Sequence, residues 1–144
     1  MAAFILDASV AISWCFPDDS SENTPFTRRI LARLATEDAF VPEIWSFEIA
    51  NSIFVSFSKR KRINERQVAE YLALLRALPI SVESQSMWAN VGLESLSRRH
   101  DVTAYDAAYL DLALRKKFLL GTSDEALSKA AVAEGVVIFR PSLD

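Results

Sequence analysis

Apolar residues along this chain fall into two alternating patterns. Short apolar runs occur at Phe4-Ile5-Leu6, Phe40-Val41-Pro42, Ile80-Ser81-Val82, Phe118-Leu119-Leu120 and Val136-Val137-Ile138. Their length and content suit strands buried on both faces. Between them lie longer stretches that predict helices over 8–16, 26–35, 43–60, 64–78, 86–99, 103–117 and 125–134. The punctuation agrees: Pro17 stops the first helix, Asn64 stands as an N-cap, and Pro79 closes the helix that Asn64 opens. The 43–60 helix is apolar almost all round, whereas 26–35 is amphipathic and carries Arg28, Arg29 and Arg33. Strands alternating with helices need crossover connections. That predicts an α/β fold in three α/β/α layers, with a mainly parallel sheet of about five short strands. Ligands in such sheets bind just beyond the carboxyl ends of the strands. Asp7 ends the first run, and Asp124 lies a few residues past the fourth.

With 144 residues and neither a repeat nor a Gly/Ser linker, the whole of 1–144 reads as one domain. A hydrophobic share of 51% against 24% charged residues is that of a folded protein, and 3 Gly with 5 Pro are too few for many hairpins. The single Cys15 forms no internal disulfide, and no Cys or His cluster has zinc-ligand spacing. The apolar start lacks preceding basic residues and is broken at Asp7, too early for a signal-peptide core. No apolar stretch reaches the roughly 18 residues of a membrane span. The expectation is a soluble, cytoplasmic chain without a membrane partner. A net charge of −3 argues against a broad, non-specific grip on nucleic acid. A phosphate approaches an acidic site of this kind only when bound cations reverse its sign.

Four acidic residues stand out, and each has a plain structural explanation to overcome. Asp7 precedes a helix and has the position of an N-cap. Asp106 follows Thr103 by three residues, the spacing of a capping box. Asp124 opens a helix, where negative charge complements the macrodipole. Glu48 lies about a turn inside its helix, beyond the reach of a cap, among Trp45, Phe47, Ile49, Ile53 and Phe54. A buried carboxylate needs a partner, and Asn51 projects from the same face at i+3. A shared purpose accounts for all four. Mg²⁺ and Mn²⁺ prefer hard oxygen ligands, and one or two such ions activate water and stabilise a leaving oxygen at a phosphodiester. Clustered without cations, the four charges repel one another and at least one carboxyl pKa rises.

Four segments, taken in order, resemble the PIN domain, and within it the VapC-type toxins of bacterial and archaeal toxin–antitoxin pairs. They are Phe4-Ile5-Leu6-Asp7-Ala8-Ser9, the stretch from Val41 through Trp45 and Glu48 to Asn51, the stretch from Thr103 through Tyr105 and Asp106 to Tyr109, and Leu120 through Thr122 and Asp124 to Leu127. The resemblance implies that Asp7, Glu48, Asp106 and Asp124 are the catalytic, metal-binding acids. It also implies that Ser9 and Thr122 are hydroxyls supporting them, with Asn51 the amide beside the acidic helix. It further implies a Mg²⁺- or Mn²⁺-dependent endoribonuclease acting on RNA, a homodimer, and inhibition by a small VapB-type antitoxin. DNA is involved only indirectly, through that antitoxin. Two positions depart from the pattern: Gly121 stands where Ala is frequent, and Asp111 adds an acid that helical geometry turns to another face.

The remaining charged features have structural readings. Lys59-Arg60-Lys61-Arg62 ends a helix, where cations complement the macrodipole, with contact to RNA phosphate as the alternative. The only histidine, His100, sits at a predicted helix end. Trp45, Trp88 and the phenylalanines suit core or interface better than base stacking. Two other functions compete. A binding module of the same fold, acting through an antitoxin in DNA-bound autoregulation, needs no intact acidic quartet. A haloacid-dehalogenase-like phosphatase needs a second acid two residues after Asp7, where this chain has Ser9.

Overall fold

The computed structural model describes residues 2–140. Strand β1 (Ala3–Leu6) leads into helix α1 (Ala8–Ser13), and α2 (Pro25–Arg33) into β2 (Asp38–Pro42). Helix α3 (Ile44–Phe54) is followed by α4 (Glu65–Ala77), β3 (Ile80–Glu83), α5 (Met87–Val91) and α6 (Glu94–His100). Helix α7 (Ala104–Lys116), β4 (Leu119–Gly121) and α8 (Glu125–Ala133) complete the order. The sheet runs β3-β2-β1-β4 with every pair parallel, between helical layers. Strand β1 is buried from Phe4 to Leu6, as its unbroken apolar run predicts. Helix α7 lies against β1, β2 and β4 and contributes Tyr109, Leu110 and Leu112 to the core.

Caps account for where several helices begin. Asn64 and Gln67 form a reciprocal capping box at α4, Thr24 caps α2 with Pro25 in the first turn, and Thr103 caps α7. Three expectations change. The helix expected over 86–99 is two helices, because Gly92 weakens its interior and the backbone bonds tighten there to Leu93 N–H→Asn90 O. The long helix expected over 43–60 becomes π-helical at Val55–Lys59, where Arg60 N–H reaches back to Val55 O. The run expected as a fifth strand contributes a parallel bridge, Ile138 to Leu120, on the free side of β4.

Strand order positions the site. The chain steps from β1 to β2 to β3 in one direction, then returns to lay β4 on the other side of β1. The carboxyl ends of β1 and β4 therefore flank the point where strand order reverses, the favoured place for a ligand crevice. Asp7 is the first residue after β1, and Thr122 the first after β4.

Candidate functional site

Asp7 leaves β1 with its N–H still in the parallel ladder, bonded to Gly121 O at 2.9 Å. It occupies the N-cap position of α1, yet its side chain makes no capping bond. Instead the hydroxyls of Ser9 and Thr122 both donate to Oδ2, each at 2.6 Å. Those hydroxyls are themselves held: Ser9 Oγ accepts from Ser123 N–H at 3.0 Å, and Thr122 Oγ1 from Asp124 N–H at 2.9 Å. The turn after β4 is thereby stitched to the start of α1 through Asp7. Burial pushes the Asp7 carboxyl above its ordinary range, the Ser9 and Thr122 bonds oppose that rise, and the charge of Asp124 adds to it. Plain capping does not explain this residue.

Glu48 is half-buried on α3 and accepts a hydrogen bond on Oε1 from the Tyr109 hydroxyl at 2.6 Å. Burial raises its pKa, the Tyr109 bond lowers it, and the charges of Asp7 and Asp106 raise it further. Asp106 lies in the first turn of α7. Its N–H bonds Thr103 Oγ1 at 3.1 Å, so the capping spacing is used, but by the backbone of Asp106 and not by its carboxyl. That carboxyl is pushed up to about 6, first by burial and then by the charges of Asp124 and Asp7. Asp124 does cap its helix, accepting Leu127 N–H on Oδ1 at 3.0 Å. The same residue adds its field to Asp7 and Asp106. Asp124 thus acts on Asp7, Asp7 and Asp106 act on Glu48, and Asp124 and Asp7 act on Asp106, with Asp7 at the carboxyl end of β1 and Asp124 three residues past β4.

Donor chemistry here suits a hard cation. The acids offer only oxygen, and His100 is committed elsewhere, to Glu134 at 2.6 Å beside Arg99. Among the described residues, no three His, Cys, Asp or Glu side chains are grouped closely enough to hold an ion by themselves. Mg²⁺ does not require such a triad, because it keeps several waters and takes one or two carboxylates with substrate oxygens. Asn51, a turn beyond Glu48, is exposed and makes no described hydrogen bond to it.

Tyr109 is the residue the sequence reading passed over. It is fully buried, and its hydroxyl touches both Glu48 and the N–H of Ala8. The available signal was its place three residues after Asp106, on one helical face. The basic run has structural work: Arg62 pairs with Asp19 at 3.2 Å and Glu22 at 3.6 Å and lies over the Phe16 ring, while Lys59 lies over Phe54. Asp111 is taken by Arg115 one turn on. Trp45 is buried, but Trp88 and Phe47 are 73% and 71% exposed, an unusual openness for large aromatics.

A family model described as PIN domain matches residues 4–133. No curated protein sequence matches the chain. Among solved structures, FitAcB from Neisseria gonorrhoeae superposes with a TM-score of 0.62 at 20% identity, covering 96% of this chain and 97% of that one. PAE2754 from Pyrobaculum aerophilum gives 0.62 at 14% identity, covering 95% and 90%. VapBC2 from Rickettsia felis, bound to a DNA fragment from their promoter, gives 0.60 at 12%, covering 95% and 97%. At these identities the likeness is one of fold.

Proposed function

Because this chain belongs to the PIN domain family, we propose that it is a metal-dependent endoribonuclease, a single domain over 1–144 that serves as the toxin of a type II toxin–antitoxin pair. One observation carries the reading: beside the switch point of a parallel sheet, burial raises the carboxyl pKa values of Asp7, Glu48 and Asp106, and neighbouring acids add to each rise, Asp124 at Asp7, Asp7 and Asp106 at Glu48, and Asp124 and Asp7 at Asp106. Structural ion pairs do not gather like charges in this way, and a ligand of opposite sign explains the arrangement.

In this reading Asp7, Glu48, Asp106 and Asp124 hold Mg²⁺ or Mn²⁺, directly or through water. The bound cation supplies Lewis acidity that lowers the pKa of an attacking water and offsets phosphate charge. The chain's own residues orient and neutralise. Ser9 and Thr122 keep Oδ2 of Asp7 occupied, so the carboxylate has a fixed direction. Asn51 stands beside Glu48 as an uncharged polar neighbour for the RNA. The exposed aromatics Phe47, Trp88 and Tyr105 mark surface suited to a second copy or to a VapB-type antitoxin, through which any DNA contact runs. The fold shared with VapBC2 and FitAcB supports that partnership. No helix among the described residues is long and apolar enough to cross a membrane.

The test is to map RNA 5′ ends after brief expression of the wild type beside Asp7→Asn. New ends at defined sites are expected for the wild type. The variant, folded to the same degree by circular dichroism, should lose at least about 100-fold of the cleavage and relieve growth inhibition. Full toxicity in Asp7→Asn without new ends would favour the binding module acting through antitoxin.

A further inference from the structure

The hydroxyl of Tyr109 does two things that the acids do not do for themselves. Its oxygen accepts the N–H of Ala8 at 3.4 Å and donates its proton to Glu48 Oε1 at 2.6 Å. The direction is not a matter of choice. A backbone N–H only donates and a carboxylate only accepts, so the phenolic proton goes to Glu48. Ala8 opens α1, whose first N–H groups lack intrahelical partners. The N-cap residue ordinarily satisfies one of them, but that residue is Asp7, whose carboxylate is turned to Ser9 and Thr122. A side chain from α7 thus takes the first N–H of α1, that of Ala8, which the Asp7 side chain does not cap.

Glu48 meets the opposite problem. Asp7 and Asp106 repel it, and the side chain is only half-buried. Among the described residues Tyr109 provides its hydrogen bond, and the tyrosine ring, with no exposed surface, cannot follow Glu48 outward. We propose that Tyr109 is a positioning residue for the metal site: its hydroxyl anchors Oε1 of Glu48 against repulsion from Asp7 and Asp106, leaving Oε2 as the ligating oxygen. This inference rests on the assignment of Glu48 as a metal ligand under the proposed function. It differs from the ordinary satisfaction of a buried phenol, which predicts a loss of stability but no coupling to Glu48.

The experiment is a double-mutant cycle on Tyr109→Phe and Glu48→Gln, read first by electron paramagnetic resonance of Mn²⁺ titrated into RNA-free protein. A second reading is kcat and KM on an end-labelled RNA. Removing a hydrogen bond that orients a metal ligand weakens affinity roughly 10- to 100-fold. Tyr109→Phe should fall in that range for Mn²⁺ and lower kcat with KM little changed. Added to Glu48→Gln it should change neither quantity further. Glu48→Asp, which keeps the charge but withdraws it from the hydroxyl, should reproduce the Tyr109→Phe loss without altering the aromatic core. Equal losses from Tyr109→Phe in both backgrounds would assign it a merely structural role and overturn the proposal. Loss of Mn²⁺ in Glu48→Gln without loss in Tyr109→Phe would overturn it while leaving the site assignment intact. Unchanged Mn²⁺ affinity in Glu48→Gln would remove Glu48 from the ligands and end both.

Discussion

Asp106 carries its charge against burial and against two neighbouring anions. Its carboxyl is held at about 6 in the folded chain, against 3.8 ordinarily. A folded-state pKa raised above the unfolded one stabilises the fold fully below the unfolded value, and that stability is lost as pH rises through about 6. Near neutral pH, with divalent cations removed by EDTA, the ionised Asp106 is therefore a liability. Asp106→Asn removes the charge and keeps the backbone N–H that bonds Thr103. Solvent screening of a part-exposed carboxyl reduces the effect to about 1 kcal/mol, or a rise in Tm of about 3 °C for a chain of this size. The variant should melt higher than the wild type at pH 7.5, with the difference gone by pH 3, below the ordinary value of 3.8. A variant less stable than the wild type at pH 7.5 would contradict the repulsion. The same substitution should abolish RNA cleavage, so that stability and activity move in opposite directions at one position.

At the scale of the element, Asp124 joins two roles that substitution can separate. It caps α8 through Leu127 N–H, and it adds charge to the site. Asparagine caps about as well as aspartate, whereas alanine costs about 1 kcal/mol at such a position. Asp124→Asn should therefore keep the wild-type urea midpoint and lose cleavage, and Asp124→Ala should lose both. Cleavage retained in the asparagine variant would leave only the cap. Much of this was legible in the sequence, because caps and apolar runs are local. Asn64, Thr103 and Asp124 each open a helix where their residue type predicts. The anomaly of Glu48 among large apolar neighbours was legible too. What escaped depends on contacts across the fold or on a single shift of hydrogen-bond register. Periodicity does not record that the bonds tighten at Gly92, or that α3 widens into a π turn before Arg60. It does not record that Ile138 makes a bridge where a strand was expected. Nothing local reveals that the Asp7 carboxylate is held jointly by Ser9 of α1 and Thr122 beyond β4, or that Tyr109 connects α7 to both α1 and α3.

At the scale of the molecule, the acids belong to four parts of the chain that meet only when the sheet is assembled. Asp7 follows β1, Asp124 follows β4, Asp106 lies on α7 against β1, β2 and β4, and Glu48 lies on α3 against β2 and α1. In the unfolded chain these acids are far apart in sequence, and a divalent cation finds no set of ligands there. Binding that is specific to the folded state must then stabilise the whole molecule by RT ln(1 + [L]/Kd), about 2.7 kcal/mol at a hundredfold excess over Kd. The gain is largest where a cation would relieve repulsion, as among carboxylates whose pKa values neighbouring acids raise. A thermal melt at pH 7.5 should show Tm climbing with the logarithm of Mn²⁺ concentration, and EDTA should reverse it. KCl at matched ionic strength only screens, and with a net charge of −3 the general effect of screening is small. Asp7→Asn should flatten the Mn²⁺ response while leaving the response to KCl as it is. If KCl raises Tm as far as Mn²⁺ does, the acids share a field but not an ion, and the crevice between β1 and β4 is not a metal site.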